Sequence, residues 1–164
     1  MGMVVAFHRL TTDELTRLLA DPNEVVEQLL KFNDEPDDEG RHVDVDKSWH
    51  ALHVLLNGHP SDVTSPGGAA IFGGQPFGED LGYGPARLLN AVMVAQVSAG
   101  LAAVSDAELT NRYDPARMTA WDIYPRIWDE PSVLTEYLLP NLSALRSLYT
   151  TASAANEHVL VIPS

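Results

Sequence analysis

Residues 43–58 read VDVDKSWHALHVLLNG, which sets two carboxylates, a lysine, a tryptophan and two histidines around the start of one helix. Helical spacing puts Trp49, Leu52, His53 and Leu56 three or four residues apart on one side, with Leu55 nearby, so the stretch reads as a helix with an apolar, core-facing stripe. Asp46 reads as the cap of its free N–H groups at the positive end of the helix dipole, with Asp44 one strand period before it. Gly58 is the stop signal. On that stripe His53 is expected to be buried and hydrogen-bonded.

Working toward the N-terminus, NDEPDDEG at 33–40 reads as an exposed acidic loop, and it lacks the ordered ligand spacing of a calcium loop. Before it, Asp21-Pro22 starts a helix running to about Lys31, with Val25, Val26, Leu29 and Leu30 on one face. Thr11 and Glu14 have capping-box spacing for a helix over Asp13–Ala20, and Met3–His8 reads as a strand.

Working toward the C-terminus, Ala69–Phe72 is a glycine-flanked apolar run expected as a short strand, and GGQPFGEDLGYGPA at 73–86 is a glycine-rich stretch. Pro85–Leu89 reads as a strand, and Asn90 as the cap of an apolar helix over Ala91–Ala103. Ser105 with Glu108, and then Asp114-Pro115, mark two further helix starts. Trp121 to Trp128 concentrates aromatic side chains. A long helix is expected from Ser132 to Ala154, interrupted or kinked near Pro140, then a strand over His158–Ile162. Strands at both ends suggest that they pair. The whole, residues 1–164, reads as one α+β domain, helix-rich with a small mixed or antiparallel sheet that includes both terminal strands.

Composition narrows the chemistry. There are 23 acidic against 10 basic side chains, a net charge of -13, which opposes nucleic acid and anionic membrane surfaces. With no cysteine, disulfides, thiolate nucleophiles and cysteine-ligated metals are excluded. No window has the roughly 18 apolar residues of a membrane span, and the N-terminus lacks the pattern of a signal peptide, so a cytoplasmic location is expected.

Catalytic candidates are His53 and His50, with Asp44 or Asp46 to polarise one of them as general acid or base. The two histidines are three apart rather than in the HExxH pattern, and no further ligand is compelled to join them, so no metal is expected. The glycine-rich stretches follow neither the Walker nor the dinucleotide fingerprint, and no cofactor is expected. Trp49, Tyr83, Tyr124 and Trp128 are the ligand-binding candidates, Tyr83 because it sits between Gly82 and Gly84 where a pocket wall or lid can be built.

MGMVVAF at the start, VDVDKSWHALHVLLNG, GEDLGYGPA, YDPARM followed by DIYPRIW, and the C-terminal strand occur together in order. In these motifs the chain resembles the YfbM-like family of small bacterial proteins. The resemblance implies an α+β fold and a domain of unknown function, and it carries over no catalytic residue. The first functional expectation is therefore a non-catalytic binding or interaction module for a small ligand or protein partner, as a monomer or homodimer. The alternative is a small-molecule hydrolase using His53 or His50 with an aspartate. A third is an immunity-type protein that neutralises a partner.

Overall fold

The computed structural model describes residues 2–32 and 39–164, so most of the expected 33–40 loop lies outside the described residues. The elements run β1 (Val5–Leu10), α1 (Thr12–Ala20), α2 (Pro22–Phe32), β2 (His42–Asp44), a 3-10 turn (Asp46–Ser48), α3 (Trp49–Asn57) and α4 (Ala69–Phe72). There follow β3 (Gln75–Asp80), β4 (Pro85–Leu89), α5 (Ala91–Ala102), α6 (Asp106–Arg112), α7 (Pro115–Ala120), a π-helical turn (Val133–Leu138), α8 (Leu139–Ala154) and β5 (His158–Pro163).

One five-stranded antiparallel sheet orders these strands β2-β1-β5-β4-β3. The terminal strands pair as expected, from Val5 opposite Pro163 to Leu10 opposite His158. The sheet has helices on both faces. Val5, Phe7, Val159, Val161 and Leu89 join the large core with α3, α5 and α8, whereas Leu10, Leu160, Ile162 and Ala86 join a smaller core with Leu18 of α1 and Val26 of α2. Successive strand residues point to opposite faces, so a strand covered on both sides reads as the unbroken apolar run VLVI of β5 rather than as an alternation.

Three expectations need correction. Ala69–Phe72 is a short helix, not a strand: a four-residue apolar run does not distinguish the two by period, and Ser65, Pro66 and Gly67 supply carbonyls that accept from Ala69 and Ala70. The glycine-rich 73–86 stretch contains β3, whose Pro76, Gly78, Glu79 and Asp80 hide its strand character and are the residues that protect a sheet edge. Asp46 does not cap α3. Its φ is 50°, its N–H donates to Asp44 Oδ1 at 2.6 Å, and its own Oδ2 accepts from the Tyr137 hydroxyl at 2.8 Å. It ties the approach to α3 to the π-helical turn before α8, and that turn is where the expected interruption near Pro140 falls.

No single helix among the described residues is long and apolar enough to cross a membrane; α5 and α6 together reach that length only across a 79° bend.

Candidate functional site

The first turn of α3 brings part of the expected site together. The His50 ring stacks on Trp49 with centroids 4.8 Å apart, Tyr124 lies 6.3 Å from Trp49, and Phe72 meets both Trp49 and His53 edge-on at 5.5 and 4.8 Å. The polar atoms of this cluster are mostly turned inward. Trp49 Nε1 donates to the Met3 carbonyl at 2.9 Å, and His50 Nδ1 accepts from the Tyr124 N–H at 3.1 Å.

That bond fixes His50 chemically. A ring whose Nδ1 accepts carries its proton on Nε2, so it has no free lone pair to act as a base unless the Tyr124 bond is given up. Burial holds its pKa below the usual range, against the opposing pull of Asp122. His53 is further from solvent, at 0% exposure, and burial together with His50 pushes its pKa down to about 4. Its Nδ1 sits 3.2 Å from Asn57 Nδ2, while Nε2 is buried without a hydrogen-bond partner among the described residues.

The remaining candidates lie elsewhere. Trp128 is 2% exposed with Nε1 donating to the Ile123 carbonyl at 2.8 Å, a core tryptophan with its polar tip satisfied. Tyr83 is 48% exposed at the tip of the β3–β4 hairpin, beyond Leu81, which packs on the smaller core rather than on the core that holds Trp49. Asp44 and Asp46 are engaged at the 3-10 turn. His50 and His53 therefore stay in one cluster, while Asp44 and Asp46 make their contacts at the 3-10 turn and Tyr83 sits at the hairpin tip beside the smaller core.

A cleft of about 280 Å³ opens instead at the other end of α3. Val54, Met118 and Trp121 give it an apolar wall, and Asn111, Arg112, Asp114 and Arg117 a polar rim. Three local causes place these groups. The Asp114 side chain caps α7 through the Arg117 N–H at 3.0 Å, which orients α7; Arg112 Nη1 donates to the Leu55 carbonyl at 3.0 Å, fastening α6 to the C-terminal end of α3; and Arg117 lies over the Trp121 ring at 5.5 Å. On the same indole the His59 ring packs at 5.9 Å. The sequence did hold one signal for this site, since Arg117 and Trp121 are four apart, the spacing that puts two side chains together on a helix face.

The model of a family described as a domain of unknown function, DUF1877, matches residues 1–162. The chain belongs to the DUF1877 family. Among solved structures, a protein of unknown function, YfbM from Escherichia coli, is similar to it with a TM-score of 0.74 and 20% identity, over 98% of this chain and 99% of that one. At that identity the likeness concerns the fold alone. No curated protein matches the chain. For this DUF1877 member the cleft has therefore to be read from its own chemistry.

Proposed function

We propose that the chain is a non-catalytic binding protein that takes a small ligand in the cleft between the end of α3, α6 and α7. The observation that supports this reading is a contrast in commitment. Of the two arginines that line the cleft, Arg112 donates to the Leu55 carbonyl, whereas the Arg117 guanidinium makes no hydrogen bond among the described residues and has a 3.7 Å ion pair with Asp114 and the ring of the half-buried Trp121 beside it. Mixed apolar and polar lining of this kind is what small-ligand sites use.

The hydrolase alternative finds less support, because His50 and His53 are committed to internal contacts and carry depressed pKa values. Nothing in the geometry favours the partner-neutralising reading over a small ligand. A cytoplasmic binder, as a monomer or homodimer, is compatible with the acidity of the chain.

The test is a small-molecule library screened by two-dimensional NMR against the full chain, with the Trp121 indole N–H as reporter. Hits are expected to move that resonance while leaving those of Trp49 and Trp128 in place, and Trp121→Ala is expected to weaken them about tenfold. A library that moves no resonance around the cleft would overturn the proposal.

A further inference from the structure

We infer that the cleft beside α3 selects small aromatic carboxylates. The inference rests on the binding role proposed above and adds the chemical class of the ligand.

Three features of the cleft define that class. The first is shape and polarity: Val54, Met118 and Trp121 form one apolar wall in a space of about 280 Å³, which suits a single ring with a short substituent. The second is the donor set beside that wall, where Arg117 lies over the Trp121 ring at 5.5 Å. Arg117 offers a planar fork of N–H groups that matches a carboxylate bidentately, and its hydrogen-bonding capacity is unused among the described residues. The third is the fate of the acid nearest to it. Asp114 Oδ1 accepts the Arg117 backbone N–H as the cap of α7, and its Oδ2 stays 3.7 Å from Arg117 Nε, too far to hydrogen-bond. An arriving carboxylate therefore gains direct contacts with a guanidinium that the fold has left loosely paired.

Competing classes fit less well. A cation of the same shape meets Arg112 and Arg117, two of only ten basic residues in the chain, while the lining carboxylate of Asp114 is already engaged as the cap of α7 and paired with Arg117. A bare inorganic anion reaches the same guanidinium but leaves the apolar wall uncovered, so it lacks the burial that offsets the repulsion of a chain whose net charge is -13. Arg112 supplies part of the rim charge, but its bond to the Leu55 carbonyl holds it to the C-terminal end of α3, so Arg117 is the group that discriminates.

The experiment compares phenylacetate, 2-phenylethylamine, 2-phenylethanol, acetate and inorganic phosphate in separate NMR titrations of the full chain, again reading the Trp121 indole. Phenylacetate is expected to bind at least tenfold more tightly than each of the other four. Arg117→Gln, an exposed substitution, should erase its advantage over 2-phenylethanol, and Arg117→Lys should restore part of it. If the amine or the alcohol binds as well as phenylacetate, the ligand class is overturned and the binding role stands. Equal binding of acetate or phosphate overturns the class as well, since the ring then contributes nothing. If neither these probes nor the wider library moves Trp121, both the class and the binding role fall.

Discussion

Asn57 uses both ends of its amide: Nδ2 donates to the carbonyls of His53 and Gly68 at 3.0 Å each, and Oδ1 accepts from the Thr64 N–H at 2.8 Å and from its hydroxyl. The side chain thus joins the end of α3 to the 59–68 segment, and a Cβ on Gly68 would come within 1.9 Å of Asn57 Oδ1. Asn57→Ala leaves buried backbone groups unpaired, so we expect a loss of about 2–4 kcal/mol in urea unfolding; a loss below half of the lower figure would show that the clamp is dispensable. His53 gives a second prediction at this scale. Its ring titrates near 6.5 when unfolded and near 4 in the fold, so between those values only the unfolded chain takes up the proton. Stability attributable to the neutral ring is complete above about pH 6.5 and falls as the pH drops toward 4, by on the order of 3 kcal/mol. In His53→Leu that part of the slope should vanish, read as urea midpoints at pH 7, 6, 5 and 4; an unchanged slope would refute the assignment. Burial of His53 was legible from its place on the apolar stripe of α3. The Asn57 clamp was not, because its partners lie in a loop whose path no local pattern encodes.

Among the helices, α5 carries a glycine that ordinary propensity would mark for improvement. Replacing a helical glycine with alanine at an exposed site adds roughly 1 kcal/mol of stability. Gly100 is different, because a Cβ there would come within 2.3 Å of the Gly67 backbone nitrogen, and one on Gly67 within 2.8 Å of the Gly100 carbonyl carbon. Backbone meets backbone where the loop before α4 crosses α5. Gly100→Ala should therefore lower the unfolding midpoint, with a cost of at least about 1 kcal/mol, and a gain would remove the argument. At this scale the sequence was informative where local chemistry decides. The Thr11–Glu14 and Ser105–Glu108 capping boxes, and the Asn90 and Asp114 caps, all form. It was uninformative where a run is too short to show a period, as at α4, or where a strand is marked mainly by edge-protecting residues, as at β3. Asp46 misled for a related reason: its spacing suits a cap, but its carboxylate is claimed by Tyr137, 91 residues further along the chain.

For the molecule as a whole, charge and topology lead to separate expectations. A net charge of -13 on 164 residues opposes the compact state, and added salt screens that repulsion. Raising NaCl from about 20 mM to about 500 mM is expected to increase the melting temperature by several degrees; a decrease would mean that ion pairs such as Arg9–Glu157, at 2.7 Å with both side chains nearly buried, outweigh the repulsion. Pairing of the two terminal strands was legible from their composition, but the position of β5 in the middle of the sheet was not, because strand order is a property of the assembled chain. That position has a consequence for how the protein is made. Arg9 and Glu157 are 148 residues apart, so at 5–20 residues per second β1 waits roughly 7–30 s for its central partner to be synthesised. During that interval Val5 and Phe7 have only β2 beside them, and β4 lacks its neighbour on the other side. The nascent chain therefore presents open strand edges to chaperones and to other nascent chains until the last strand slots between them.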